Sequence, residues 1–273
     1  MVKTVSDVFN EAKSQIDKSD ISSLLCDLLS CDRAGLLLNK DRNLTENEYK
    51  TLQKNISLAK SGMPIAYITG KKEFYSLNFE VTPDVLIPRP DTEMLVEFAI
   101  KHANGKKVLD LCTGSGCIGL SVAHYTHCDI TLADISEKAL KIAKRNAETL
   151  NIDAKVIKTD ILKDDIKGKY DIILSNPPYI ESEIIPTLDK NVCDFEPHLA
   201  LDGGVDGLDF YPVIAAKAAK ALLNDGILAV EIGYTQGKQV NEIFKKFFKE
   251  TAVLKDLAKN DRVVIGTHPI TYI

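Results

Sequence analysis

Hydrophobic positions change their period along the chain, and each change marks a different kind of segment. Over residues 1–68 apolar side chains recur at helical spacing: Val5, Val8, Phe9 and Ala12, then Leu24, Leu25, Leu28 and Leu29. Thr45 and Glu48 have the spacing of a capping box at the start of a further helix, which Gly62 and Pro64 terminate. These features predict a small helical domain over 1–68. Over 69–90 the period shortens. Phe74, Leu77, Phe79 and Val81 partly alternate between Gly70 and Pro83, as in a β-hairpin. An Ile87-Pro88-Arg89-Pro90 link follows. Each proline pushes its predecessor out of the helical region, so the link is extended and stiff. It is the expected domain boundary.

From residue 91 to the end, short apolar strands alternate with helical patterns. Strands are predicted at 107–111, 130–134, 156–157, 171–174, 227–230 and 262–265, and helices at 117–125, 136–150, 210–223 and 236–249. Leu140, Ala143, Ala147 and Leu150 line one helix face at steps of three and four. The Lys-rich stretch 245–249, with Phe244, Phe247 and Phe248, reads as the end of an amphipathic helix. Such alternation predicts an α/β domain with a parallel, doubly wound, Rossmann-like sheet. Residues 181–209 are polar, contain Gly and Pro, and have no clear period. A loop of that length in a compact domain is usually functional, so it is expected to face the substrate.

Composition narrows the function classes. The 273-residue chain is 45% hydrophobic and 27% charged, ordinary for a globular protein. Its net charge of −5, with only five arginines among 34 cations, argues against a surface built for nucleic acid. The six cysteines contain no C-x-x-C pair, which points to reduced thiols in a cytoplasmic protein. Charged residues interrupt the first 30 positions, so neither a signal peptide nor a membrane span is expected. The His124–Cys128 cluster falls at a helix-to-strand turn, and no metal site is expected.

The first chemical motif closes the strand at 107–111: Asp110-Leu111-Cys112-Thr113-Gly114-Ser115-Gly116. Its glycines let the backbone turn sharply and approach a ligand. Asp134 ends the next strand, where a carboxylate can accept both hydroxyls of a ribose. Strand ends of an open α/β sheet are where ligands bind. Gly114, Gly116 and Gly119 also satisfy G-x-G-x-x-G, with Asp134 at dinucleotide-enzyme spacing. Asp110 before the glycines resembles instead the loop of S-adenosylmethionine-dependent methyltransferases. On this motif alone both cofactors remain open, as does a glycine-rich turn that binds nothing.

The second motif, Asn176-Pro177-Pro178-Tyr179, follows the strand at 171–174. Adjacent prolines have no N–H, so their backbone can only accept hydrogen bonds. The Asn176 side-chain carbonyl adds another acceptor. Converging acceptors suit a neutral –NH2 group, and Tyr179 offers a flat face beside a planar substrate. The motif resembles that of methyltransferases acting on planar amide or amino nitrogens. Asn176, Pro177 and Tyr179 are therefore the candidate catalytic residues, with Pro178 completing the substrate site.

With these motifs in place, the chain resembles the protein-(glutamine-N5) methyltransferases of class-1 peptide chain release factors. The resemblance spans most of the chain and is carried by ordered segments. They include Pro64–Gly70, Leu86–Glu93, the glycine loop, Ser175–Ile180, Phe195–Pro197, Ala200–Gly204, Glu231–Gly233 with Gln236, and Asp261–Val264. It implies that Cys112, Thr113, Gly114, Ser115 and Gly116 wrap S-adenosylmethionine, that Asp134 holds its ribose, and that Asp160 and Ile161 border its adenine. It also implies that Asn176, beside the cofactor, and the Pro177 carbonyl grip the glutamine amide of a Gly-Gly-Gln loop, with Tyr179 packed against it. The helical domain 1–68 would dock the release factor, 69–90 would link, and 91–273 would form the methyltransferase domain. The sequence departs from the family pattern at Cys112, where glycine is common. A cysteine fits there if its φ is negative. Asp91 stands where Glu is commoner.

Three other readings compete. An adenine-N6 methyltransferase on DNA or RNA shares the N-P-P-Y chemistry but needs a basic reading surface. A nicotinamide-dependent oxidoreductase explains G-x-G-x-x-G and leaves N-P-P-Y idle. A non-catalytic scaffold leaves both motifs without purpose.

Overall fold

The computed structural model describes residues 3–270. Its contacts divide the chain into two units. One holds the chain up to Lys71 together with Asp189–Phe195. The other holds Lys72–Leu188 and the chain from Glu196 onward.

The first unit is helical: α1 (Val5–Ala12), α2 (Lys18–Leu28), α3 (Arg33–Leu38), α4 (Glu46–Lys60) and α5 (Ile65–Thr69). The Thr45–Glu48 capping box forms, and a second one at Thr4–Asp7 starts α1. Val8, Ile21, Leu24, Leu25, Leu52 and Ile56 make the core, all at most 2% exposed. Gly70 ends α5 in the left-handed region at φ 73°, which a residue with a side chain enters only at a cost.

In the second unit, β1 (Lys71–Phe74) and β2 (Leu77–Glu80) form the hairpin. Further along come α6 (Glu93–Ile100), β3 (Lys107–Leu111), α7 (Cys117–Tyr125), β4 (Asp129–Asp134), α8 (Glu137–Thr149), β5 (Ala154–Lys158) and β6 (Tyr170–Ser175). After the short helix α9 (Lys190–Cys193), which groups with the first unit, the chain adds α10 (Phe210–Ala221), β7 (Leu222–Glu231), α11 (Gly237–Phe244), β8 (Phe248–Lys255) and β9 (Asp261–Pro269).

Seven strands form one sheet in the order β5-β4-β3-β6-β7-β9-β8. β3 to β7 are parallel, and β9 runs antiparallel to both β7 and β8. Alternation along β3 explains the layers. Val108 packs with the α6, α7 and α8 side, whereas Leu109 and Leu111 pack with the α10 and α11 side. Strand order reverses at β3, between β4 and β6, and this reversal opens the crevice where ligands bind in such sheets.

Three expectations need correction. The sheet is mixed, not wholly parallel. The helix predicted over 236–249 ends at Phe244, and Phe248 begins a strand. Pairing with β9 buries Phe248 against Phe244, ring centroids 5.7 Å apart, a tertiary gain that local helical spacing does not register. Residues 181–209 also hold structure. Short helical turns occur at Ile185–Thr187, Lys190–Cys193 and His198–Ala200, and Ile180 bridges to Asp202.

Candidate active site

The loop after β3 is fastened from below. Asp110 is fully buried, and its Oδ2 accepts from the Thr113 hydroxyl at 2.5 Å and from the Gly119 N–H at 2.9 Å. Its Oδ1 has no partner among the described residues, and burial pushes its carboxyl up to about 7. A Cβ on Gly119 would lie 2.8 Å from the Asp110 Cβ and 2.6 Å from Leu132. The third glycine of G-x-G-x-x-G thus permits the helix to sit on the sheet. Gly116 caps α7 at φ 84°, where a Cβ would meet Leu120 at 2.9 Å. Gly114, at φ 55°, has nothing within 4 Å of a notional Cβ, so this side of the loop is open.

A pocket lies over these strand ends. Its lining includes Cys112, Thr113, Gly114, Ser115, Asp134, Ile161, Asn176 and Pro178 from the sequence-derived set, joined by Asp160 and Arg89. Gly116, Pro177 and Tyr179 do not line it. Asp134 accepts from Gly114 N–H and Ser136 N–H, both at 2.9 Å, which aims its carboxylate from the end of β4. Burial pushes its pKa upward against the pull of those donors. Lys217 on α10 donates to the carbonyls of Ile161 at 2.7 Å and Asp164 at 2.8 Å, holding the loop after β5 in place.

Cys112 adopts φ 59°, so the condition under which a cysteine fits here, a negative φ, is not met. Backbone geometry at the end of β3 requires the left-handed region, and the cysteine occupies it under strain. Burial pushes its thiol well up, which keeps it protonated and unreactive.

At the end of β6, the Ser175 hydroxyl donates to the Leu111 carbonyl at 2.7 Å, fixing the two strand ends side by side. Asn176 donates from Nδ2 to Thr92 Oγ1 at 3.3 Å. That contact leaves Asn176 Oδ1 as a free acceptor. Among the described residues no donor reaches the Pro177 carbonyl. The Tyr179 carbonyl, by contrast, takes the Gln236 amide at 3.0 Å, and the Tyr179 hydroxyl reaches Glu231 Oε1 at 3.5 Å. Arg89 pairs with the buried Glu196, which also accepts the Ile87 N–H at 3.2 Å, so the Pro-rich link forms part of the wall.

Sequence reasoning assigned no role to Thr92, Asn146 or Glu231. Asn146 on α8 joins Glu80 of the hairpin to the Ser115 carbonyl at 2.9 Å and so braces the glycine loop. Of the three only Glu231 carried a signal, as a charged residue between the apolar Val230 and Ile232.

Comparison with known proteins agrees with this geometry. The methyltransferase small domain family matches residues 90–193, and the PrmC N-terminal domain family matches residues 1–70. A methyltransferase from Pyrococcus furiosus superposes with a TM-score of 0.56 at 19% identity, covering 83% of this chain and all of that one. The Thermus thermophilus 16S rRNA N2 G1207 methyltransferase, solved with AdoMet and guanosine, gives 0.53 at 16% identity over 72% of this chain and 49% of its own. The second unit therefore has a Rossmann-like methyltransferase fold. The release factor glutamine methyltransferase of Clostridium acetobutylicum is 41% identical over 97% of this chain and 96% of its own length. The chain belongs to the release factor glutamine methyltransferase family.

Two predictions follow from the strand-end loop. Folded Asp110 keeps a proton that the unfolded chain releases near pH 4, so its burial costs stability progressively as pH rises from about 4 to 7. Asp110→Asn lacks that slope, and its unpaired Nδ2 adds only a constant offset. Thermal unfolding across pH should show the variant gaining on wild type between pH 4 and 7 and then levelling. At Cys112, Cys112→Gly should fold with an equal or higher melting temperature. β-branched Cys112→Val, at the same φ, should lose roughly 1–3 kcal/mol by denaturant unfolding.

Proposed function

We propose that this enzyme transfers a methyl group from S-adenosylmethionine to the side-chain amide nitrogen of the glutamine in the Gly-Gly-Gln loop of class-1 release factors. The observation that carries the reading is the acceptor pair at the end of β6. Asn176 Nδ2 is engaged by Thr92, which leaves Asn176 Oδ1 and the Pro177 carbonyl as acceptors with no protein donor among the described residues.

The pocket fits the cofactor class. The open side of Gly114 lets a ligand approach the backbone. The Asp134 carboxylate has lone pairs left for the two ribose hydroxyls, and Ile161, 4% exposed, is an apolar wall for adenine. When bound, S-adenosylmethionine supplies an electrophilic methyl group on a sulfonium. Thr113, Gly114 and Ser115 would cradle it, with Cys112 alongside.

An amide nitrogen is a poor nucleophile because its lone pair is delocalised into the carbonyl. Acceptors that hold both amide hydrogens raise electron density at the nitrogen and aim it along one line. Asn176 Oδ1 and the Pro177 carbonyl do this, Pro178 shapes the wall, and Tyr179 packs behind. After transfer the nitrogen sheds one hydrogen as a proton to water. The reaction needs no histidine and no metal.

The first unit docks the protein substrate. Leu37 and Leu38 on α3 are 73% and 87% exposed, side chains free to bury against a partner. A translation factor as substrate places the enzyme in the cytoplasm. Among the described residues, no helix is long and apolar enough to cross a membrane.

Purified enzyme, methyl-labelled S-adenosylmethionine and a class-1 release factor should give label on the Gly-Gly-Gln glutamine, located by peptide mass spectrometry. A factor with that glutamine changed to alanine should stay unlabelled. Label on DNA or RNA in a parallel reaction, with none on the factor, would replace this reading with the adenine one. Leu37→Asp combined with Leu38→Asp should raise KM for the factor about tenfold or more while cofactor affinity stays constant in calorimetry. An unchanged KM would remove the docking role.

A further inference from the structure

The N-P-P-Y segment leaves the sheet after Ser175, which is still paired with Leu111 on β3 and Val230 on β7. Beyond it, the two prolines have no N–H with which to tie the chain down. A run of acceptors is held only by donors that reach it. Asn176 is fastened at the near end, through Nδ2 to Thr92 at 3.3 Å. The far end is fastened by Gln236, a side chain 7% exposed at the start of α11. Its Nε2 donates to the Tyr179 carbonyl at 3.0 Å and to the Gly207 carbonyl at 3.2 Å. Its Oε1 accepts the Gly233 N–H at 2.9 Å, and the Tyr211 hydroxyl stands 3.2 Å from the same oxygen.

Backbone groups decide which way round this amide sits. The Gly233 N–H can only donate, and the Tyr179 and Gly207 carbonyls can only accept. A flipped amide would set NH2 against an N–H and its oxygen against two carbonyls. Both ends of the Gln236 amide are therefore committed, in a buried place where an unmade hydrogen bond is costly. One side chain thereby joins the N-P-P-Y segment, the loop at Gly207 and the turn after β7.

That loop is shaped to lie against the same segment. The Ile180 N–H donates to the Leu201 carbonyl at 3.0 Å, and the Gly203 N–H to the Ile180 carbonyl at 2.8 Å. A Cβ on Gly203 would lie 2.7 Å from the Tyr179 Cα and 2.9 Å from the Pro178 carbonyl oxygen. A Cβ on Gly207 would run into the Tyr179 carbonyl and would stand 2.7 Å from Gln236 Nε2. Glycine at both places is what lets the loop come so close. Asn176 and Pro178 line the pocket, whereas Tyr179 and Gln236 do not, so Gln236 acts from behind the site.

We propose that Gln236 is a positioning residue: by clamping the Tyr179 carbonyl to the Gly207 loop and the end of β7, it holds the Pro177 carbonyl and Asn176 Oδ1 in the arrangement that receives the substrate –NH2 group. The proposal rests on the amide-methylation reading above and deepens it. Pro177 sits between two anchors, Asn176 on Thr92 and Tyr179 on Gln236. Ring closure fixes φ at Pro177 and Pro178, so few soft torsions separate the anchors. Release of the far anchor frees those few, and the Pro177 carbonyl turns with them.

The test measures how strongly the enzyme, with S-adenosylhomocysteine bound, prefers a release factor carrying Gln over the same factor carrying Ala at the end of Gly-Gly-Gln. Wild type should bind the Gln form about tenfold or more tightly. Gln236→Met keeps the length and loses the donors. It should bind the two forms within about threefold of each other, at the affinity wild type shows for the Ala form. Its kcat on the Gln form should fall about tenfold. Calorimetric stoichiometry for S-adenosylhomocysteine counts the folded enzyme, so partial unfolding does not enter the ratio. A merely structural residue would lower that stoichiometry and leave the preference of the folded fraction as in wild type. Gln236→Glu has the same shape and cannot donate once ionised. It should lose the preference too, and it decides the matter if Gln236→Met fails to bind S-adenosylhomocysteine. Either variant with the wild-type preference and rate would overturn the proposal. Wild type that neither prefers the Gln form nor methylates it would overturn the amide-methylation reading itself, whereas an active, discriminating wild type with variants to match would overturn only the role of Gln236.

Discussion

At the end of β6 two successive prolines remove backbone donors, and the substrate side of the proposed site depends on that lack. Pro177 and Pro178 carry no N–H. Ser175 spends its hydroxyl on the Leu111 carbonyl, and Asn176 commits one Nδ2 hydrogen to Thr92. What remains is acceptor capacity, at Asn176 Oδ1 on the pocket lining and at the Pro177 carbonyl beside it in sequence. Such a rim suits a group with two hydrogens to give and disfavours a carboxylate or a phosphate. The Ser175–Leu111 bond adds precision, because it ties the acceptor strand to the strand that carries the glycine loop. On the proposed reading, donor and acceptor of the methyl group would be held at the same pair of strand ends.

Each of these two strand-end loops stands on a buried acid. Asp110 sits beneath the glycine loop and Glu231 beneath the N-P-P-Y segment, and burial pushes both up to about 7. Each has one oxygen without a partner among the described residues. Stability alone would favour apolar residues at both places. Their value is directional. An acid that can only accept, once ionised, orders the donors around it, and a loop whose donors are ordered presents a defined face to a ligand.

Much of this was legible in the sequence because it is written locally. The strand Lys107–Leu111, the glycine loop, Asp134 and Asn176–Tyr179 are contiguous patterns whose chemistry follows from residue type. What was missed depends on partners distant in sequence. Phe247 and Phe248 continue the helical spacing of Val240 and Phe244, and only pairing with β9 makes Phe248 the start of a strand. The φ of Cys112 is set by how β3 ends in the sheet and not by the cysteine itself. Thr92 lies 84 positions from Asn176 and Asn146 lies 66 from Glu80, so neither brace has a local signature. Gly119 was legible as a glycine of a fingerprint, but its physical reason, the Asp110 Cβ against the helix, needed the packing.

The central claim is that the site selects an –NH2 group through the acceptors Asn176 Oδ1 and the Pro177 carbonyl. Its most direct measurement is the affinity of the enzyme, with S-adenosylhomocysteine bound, for a release factor carrying Gln and for the same factor carrying Glu at the end of Gly-Gly-Gln. The two side chains share size and shape and differ in whether they donate or accept. The account predicts that the Glu form binds at least about a hundredfold more weakly, because its carboxylate would face the acceptors Asn176 Oδ1 and the Pro177 carbonyl. Equal affinity for the two forms would contradict it.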